Sequence, residues 1–341
     1  MCSNKLVRFL RRLAVVYIGS ALPLMEKALI ARVRSRVRTR DRRAAVGIGD
    51  DCAVLRLSAR KDLLVTTDFS LEGIHFRREW HPPESVGHRC LARGLSDIAA
   101  MGGEPKFAFL SLALPRHLPQ SWVDRFLSGF LRLAKEFQTS LLGGDTAESL
   151  HGVLADVVVV GWVPEGKAVL RSGARPGDAL YVSGELGGSA AVVGLLLSGK
   201  KRKLQPSNFP AHFFPQPRVE VGRFLRERKI ASAMIDISDG LSTDLAHICE
   251  ESGVGGEISA AAIPRASIGK PPQLVSLNDA LHGGEAYELL FTAPAGNRVP
   301  SRIAGVPITR IGDITRRNGM RLRTGQRELA FHPHGWEHFR R

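Results

Sequence analysis

The chain has 341 residues, 44% of them hydrophobic and 24% charged, and carries a formal net charge of +15. These are the proportions of an ordinary globular protein, and the length exceeds what one core usually serves, so two domains are expected. Four scattered cysteines, Cys2, Cys52, Cys90 and Cys249, form no CxxC pair. They point away from a zinc site or a disulfide framework and toward a reducing cytoplasm.

At the amino end, KLVRFLRRLAVVYIGSALPL (5–24) sets basic residues before a short apolar segment, like a weak signal peptide, and that segment is too short to span a bilayer. Met25 reads as the start of the folded protein, with 1–24 an upstream extension, 25–165 a first domain and 166–341 a second. The arginine run ARVRSRVRTRDRR (31–43) holds much of the basic excess. Without interleaved aromatics it reads as a solvated face. The basic excess admits nucleic acid, nucleotides and anionic membrane as candidates, and composition alone chooses none. Neither nucleic acid nor membrane is the expected partner once the acidic segments are weighed.

Apolar runs bounded by turn residues predict strands at 63–67, 107–114, 153–162, 179–184, 233–238 and 287–292. Helical periodicity marks 84–101, 121–137, 187–198, 218–228 and 240–251. The two types mix without strict alternation, which favours an α+β class over a doubly wound sheet. ARPGD (174–178) is a candidate boundary, and KKRKLQPSNFPAHFFPQP (200–217) reads as a long loop.

Against the basic background, aspartates recur beside glycines and at element ends: GDD (49–51), TTD (66–68), LSD (95–97), GGD (143–145) and DISDG (236–240). Asp97 is the most telling, because Cys90 and Met101 share its helical face. A carboxylate on an apolar face is costly unless it binds metal or pairs with a neighbour such as Arg93. Gathered aspartates repel, by about 4 kcal/mol per pair at 4 Å and an effective dielectric of 20. Oxygen ligands without His or Cys favour magnesium, which typically shares its coordination with substrate phosphates. The set therefore points to a magnesium–nucleotide site.

A P-loop does not supply it. GLLLSGKK (194–201) fits GxxxxGK but places Lys201 where Ser or Thr would touch magnesium, and its apolar interior continues a helix. SGELGGSAAVVG (183–194) is a strand-to-helix turn whose glycines suit either anion binding or close packing.

Seven segments in order, GIGDDCAVL, TTDFSLEGIHF, LARGLSDIAAMGGEP, LLGGDTAES, LRSGARPGD, IDISDGLSTDL and ALHGGEAYELLFT, resemble the thiamine-monophosphate kinases. That family belongs with aminoimidazole ribonucleotide synthetase, selenophosphate synthetase and a carbamoyl-carrying hydrogenase maturation protein. The resemblance implies two α+β domains, with the amino-terminal sheets of two subunits pairing into a barrel-like homodimer. It implies direct transfer of the γ-phosphoryl of ATP to thiamine monophosphate, with several Mg2+ ions and no phosphoenzyme.

Carried over by motif, Asp51, Thr66, Thr67, Asp68, Asp97, Asp145, Asp236 and Asp239 match metal ligands. Gly144, Asp145, Arg171 and Ser238 match ATP contacts, and His75, Glu285 and Trp336 match substrate contacts. The bland alternatives are a structural histidine, a solvated turn carboxylate and a packed tail aromatic. Two departures stand out: Ala286 replaces the family's aspartate in GGEDYEL, and Ala147-Glu148 replace a common Thr-Arg. Among rivals, Cys2 and Cys52 lack the setting of selenophosphate synthetase, and the HFRR end lacks the terminal cysteine of the carbamoyl carrier. The aminoimidazole ribonucleotide synthetase signature is missing from the sequence. A basic nucleic-acid binder would find the acidic segments repulsive, and a nucleotide sensor without turnover is the other alternative.

Overall fold

The computed structural model describes residues 44–46, 50–56, 60–199 and 204–339. Met25, the arginine run, and Gly47 to Gly49 lie outside them, as does the amino-terminal extension.

The first half forms one sheet. In chain order it contains β1 (Ala44–Val46), β2 (Ala53–Arg56), β3 (Lys61–Leu71), α1 (Pro83–Ala100), β4 (Glu104–Pro115), α2 (Gln120–Glu136), β5 (Ser140–Ser149) and β6 (Leu154–Pro164). The strand order is β1-β2-β3-β6-β4-β5, antiparallel except for the parallel β4–β5 pair. Period-two alternation orients it: Ala155, Val157, Val159 and Val163 of β6 point into the core, while the residues between them are only partly covered. Helix α1 lies on the inner face, against β3 and β6. The opposite face is open, with Phe69, Phe109 and Leu142 exposed by 56%, 40% and 57%. LLGGDTAES, whose glycines and charges give no strand signal, is nevertheless strand β5, held by backbone pairing to β4.

The second half adds β7 (Ala179–Ser183), α3 (Gly188–Leu197), α4 (Pro210–Phe213), α5 (Val219–Glu227), β8 (Ala233–Asp236), α6 (Leu241–Ser252) and β9 (Gly255–Ser259). A short hairpin of β10 (Ser267–Ile268) and β11 (Gln273–Leu274) precedes α7 (Leu277–His282) and β12 (Leu289–Ala293). The chain finishes with β13 (Arg302–Ile303), β14 (Val306–Thr315), β15 (Gly319–Thr324) and β16 (Arg327–Phe331). These make a sheet of order β16-β15-β9-β14-β7-β12-β8, with β13 pairing to β14. All the helices and strands expected from periodicity are found within a few residues of their predicted ends; the short β1, β2, β10, β11, β13, α4 and α7, together with β5, β9 and β14 to β16, are additional. At the SGELGG turn, a Cβ on Gly187 would sit 2.7 Å from the Ala280 amide nitrogen, so close packing on α7 requires that glycine.

Helix α1 joins the halves. Pro83 in its first turn and Glu84 suit a helix start, and nearly every residue from there on is buried, because sheet, α2, α5 and β8 surround it. The 204–217 stretch is not loop throughout: it contains α4 and runs across α1 as a strap. Ser85 Oγ donates to the Phe213 carbonyl (2.7 Å), His88 Nε2 meets the Pro215 carbonyl (2.7 Å), and Arg89 donates to the His212 carbonyl. Beneath the strap, His81 Nε2 lies 3.1 Å from His212 Nε2, and Ser189 Oγ lies 2.8 Å from His212 Nδ1. Burial pushes His81 and His88 down to about 4, so both are neutral and serve packing.

The α1–α2 crossing rests on two glycines. A Cβ on Gly87 would lie 1.9 Å from the Phe126 carbonyl oxygen, and one on Gly129 1.9 Å from that of Glu84. Backbone cannot yield as a side-chain tip can. Gly129→Ala is expected to destabilise by about 2 kcal/mol or more in denaturant unfolding. Gly194→Ala, at an exposed position in α3 with nothing within 4 Å, should instead be neutral or stabilise by up to about 1 kcal/mol.

Candidate active site

Three carboxylates from separate parts of the chain converge. One oxygen from each of Asp51, Asp97 and Asp236 lies within 4.8 Å of the others. Asp51 precedes β2, Asp97 is on the last turns of α1, and Asp236 ends β8. Each is oriented by a neighbour. Arg171 grips Asp51 with two bonds, Nε to Oδ2 at 3.0 Å and Nη2 to Oδ1 at 3.1 Å. Thr66 Oγ1 donates to Asp97 Oδ2, and Ser96 Oγ donates to Asp236 Oδ2 at 2.6 Å. Asp68 follows Thr66 by two residues on β3, hence on the same face, and its buried Oδ2 has no hydrogen-bond partner. The alternative pairing of Asp97 with Arg93 is not what the fold adopts: Arg93 donates to Glu285 instead.

Repulsion at this site is large. Burial raises the Asp97 carboxyl well above its ordinary value, and the charges of Asp68, Asp236 and Asp51 push it further. Asp236 rises for the same reasons, burial first and then Asp51. Asp50 accepts the Asp51 amide (3.0 Å) and the Arg171 amide (3.2 Å), and burial followed by the Asp51 charge lifts it to about 7. An all-oxygen donor set, crowded and with an orphaned buried oxygen on Asp68, fits a hard divalent cation such as Mg2+.

Around this centre lie the DISDG and GGEAY loops. Glu285 N donates to the Ser238 carbonyl (2.7 Å), Tyr287 N to that of Ile237 (2.9 Å), and Trp336 N to that of Asp239 (2.9 Å). Glu285 and Tyr287 have φ of 59° and 52°, the left-handed region that such residues rarely occupy. Glu285 is not a solvated turn carboxylate. Arg89 and Arg93, one helical turn apart on α1, both reach its Oε1, at 2.6 and 2.7 Å. Burial would raise this carboxyl, but the two guanidinium groups outweigh it and hold it at about 2. His75 Nδ1 accepts the Leu71 amide at 2.9 Å. The Trp336 ring is half exposed on a tail pinned by Gly335 N to Thr243 Oγ1 (3.1 Å) and His334 N to Ser242 Oγ (3.2 Å).

Two expected ligands point elsewhere. Thr67 alternates away from Thr66 and donates to Asp156 Oδ1 (2.8 Å). Asp145 shares a register row with Ser111 and Asp156. Both side chains therefore face the open side of the first sheet rather than the Asp51–Asp97–Asp236 cluster. Gly144 has φ of 154°, and a Cβ there would meet the Leu110 carbonyl oxygen at 1.7 Å. Ser96, Arg89 and the buried Asp244, whose Oδ2 accepts the Gly240 amide (3.0 Å), escaped the sequence reading. The four-residue Arg89–Arg93–Asp97 spacing along one face was the available signal for the arginine.

Family models for the AIR synthase related protein, N-terminal domain and C-terminal domain, match residues 49–163 and 175–325. Thiamine-monophosphate kinase of Salmonella typhimurium is 37% identical over 329 residues, covering 92% of this chain and 98% of that protein. The Bacillus subtilis thiamine-monophosphate kinase is 36% identical over 312 residues, covering 86% and 94%. A solved structure of AaThiL complexed with AMPPCP and TMP matches with a TM-score of 0.80 at 33% identity, covering 95% of this chain and all of that one. The fold is thus that of an AIR synthase related protein, with the N-terminal and C-terminal domain models both matched. Within that class, the chain belongs to the thiamine-monophosphate kinase family.

Carboxylates whose folded values are raised keep protons that the unfolded chain would release. In metal-free protein their contribution to stability is therefore present at low pH and lost as pH rises from about 4 through the Asp50 value of about 7. Added Mg2+ should raise the melting temperature more at pH 8 than at pH 5. Equal shifts at both would count against a divalent site here.

Proposed function

We propose that the protein transfers the γ-phosphoryl group of ATP to thiamine monophosphate, giving thiamine diphosphate and ADP. The observation that carries this is the convergence of Asp51, Asp97 and Asp236 in a chain that belongs to this kinase family. The bond from Pγ to the β–γ bridging oxygen breaks, and one forms to an oxygen of the acceptor phosphate. No protein nucleophile is required, because such transfers depend on positioning and charge stabilisation.

Asp51, Asp68, Asp97, Asp236 and Asp239, with Thr66, would hold Mg2+. Bound there, the ions supply the charge neutralisation that brings triphosphate and acceptor phosphate together. Arg171 is the assigned phosphate contact, since its fixed charge and forked donors suit phosphate oxygens. Ser238 would contact the nucleotide. His75, Glu285 and Trp336 would contact thiamine monophosphate, with the half-exposed indole face set against the cationic thiazolium.

The open face of the first sheet is the reason to assign a homodimer. A second copy laid across it would cover Phe69, Phe109 and Leu142 and enclose Gly144, Asp145 and Thr67 in a groove where they would serve nucleotide and metal. Exposed apolar side chains on one face mark such interaction surfaces. Among the described residues no helix is long and apolar enough to cross a membrane. The buried free thiols Cys52, Cys90 and Cys249 suit the reducing cytoplasm that this reading assigns.

The test is thiamine diphosphate formation by purified protein supplied with ATP, Mg2+ and thiamine monophosphate. Asp97→Asn should lower kcat by at least about 100-fold while leaving the melting temperature within a few degrees. ATP binding without product in the parent protein would turn the reading into that of a nucleotide sensor. Phe109→Asp should shift the protein to a monomer in size-exclusion chromatography; an unchanged elution volume would remove the dimer.

A further inference from the structure

We propose that Arg93 is a built-in counter-charge of the carboxylate pocket, a positioning residue that stands beside Asp68 where another cation would otherwise be needed. The inference deepens the magnesium reading of the same site and rests on it. It starts from a charge count. Glu285 receives two guanidinium groups, from Arg89 and Arg93, on a single oxygen, which leaves one positive charge in excess within a buried region. Arg89 is the deeper of the two and is further engaged by the His212 carbonyl. Arg93 turns the other way. Its Nη1 approaches the Phe69 carbonyl at 3.5 Å, one residue past Asp68.

The groups that face Arg93 are Asp68, Glu285, the Tyr287 hydroxyl and the Cys90 thiol. Asp68 is the one anion among them with no ion pair among the described residues; its carboxyl shares a hydrogen bond with Asp97, and its Oδ2 has no partner. Two buried polar atoms here lack hydrogen-bond partners, Arg93 Nε and Asp68 Oδ2. A guanidinium placed only to tether the Glu285 loop would leave no reason for an unpaired carboxylate oxygen beside it. A guanidinium that balances Asp68 through space, while leaving that oxygen available to a metal, accounts for both atoms. Buried charge of either sign is costly unless balanced. Arg93 would therefore hold the Asp68 end of the pocket together before Mg2+ arrives, as Arg171 holds the Asp51 end, and would limit how many ions the pocket takes.

The full-length Arg93→Met protein, titrated with MgCl2 in the absence of nucleotide and thiamine monophosphate, tests this. Melting temperature gives the half-saturating Mg2+ concentration, and equilibrium dialysis gives the number of ions bound. Removing the counter-charge should lower the melting temperature in metal-free buffer and restore most of it with Mg2+. Half-saturation should fall at least about fivefold, with additional ion bound, and Arg93→Lys should behave as the parent. An equal loss of melting temperature at every Mg2+ concentration, with unchanged half-saturation, is the result of a simple tether and overturns the proposal. If Arg93→Met does not fold, Glu285→Gln decides. It cuts the tether but spares the charge, so half-saturation should rise at least about twofold; an unchanged or lower value overturns it. A parent protein with no saturable Mg2+ response also overturns it. Because no substrate is present, failure of the kinase assay and failure of this proposal are separate outcomes.

Discussion

Buried like charges dominate this molecule. Asp51, Asp97 and Asp236 bring one oxygen each within 4.8 Å of the others, and any two of them, when both ionised, would repel by about 3–4 kcal/mol at an effective dielectric near 20. A chain tolerates that only if compensation is built into the same fold. Here it comes from Arg171 at Asp51 and from hydroxyl donors on Thr66 and Ser96. The residual imbalance is what a divalent cation and a triphosphate would share between them. A site that is electrostatically incomplete by itself is one whose stability is coupled to its ligands.

Helix α1 is the element through which this is arranged. It carries Arg89, Arg93, Ser96 and Asp97 along successive turns, so the spacing between the Glu285 end and the carboxylate cluster is fixed by helical rise. Its rigidity comes from burial on nearly every side, from glycine crossings that bring α2 into backbone contact, and from the strap fastened to it by Ser85, His88 and Arg89. The two halves meet here. Ser96 reaches Asp236 of the second sheet, and Arg93 reaches the GGEAY loop. Displacement of either half would therefore change the site geometry directly.

The backbone at Glu285 and Tyr287 has left-handed φ values without glycine, and such strain persists only where surroundings over-determine it. The amide bonds to Ser238 and Ile237 and the paired arginines provide that constraint. The Ala286 departure sits between these two residues.

Much of this was legible in order along the chain. Period-two runs such as VLADVVVVGW and the helical spacing of 84–101 identify elements from local packing rules alone, and the recurrence of aspartates at element ends marks the segments from which a carboxylate cluster can be drawn. What the sequence could not declare is which acids meet. Thr66 and Thr67 differ by one position, yet strand alternation sends one to Asp97 and the other to Asp156 on the open face. Glycine-rich LLGGDTAES becomes a strand only because β4 supplies its hydrogen bonds. Glu285 looks like a turn acid until α1 presents two arginines from nearly two hundred residues away. Side-chain type and local period are properties of neighbours in the chain; convergence, burial and charge balance are properties of neighbours in space, and only the tertiary fold decides those.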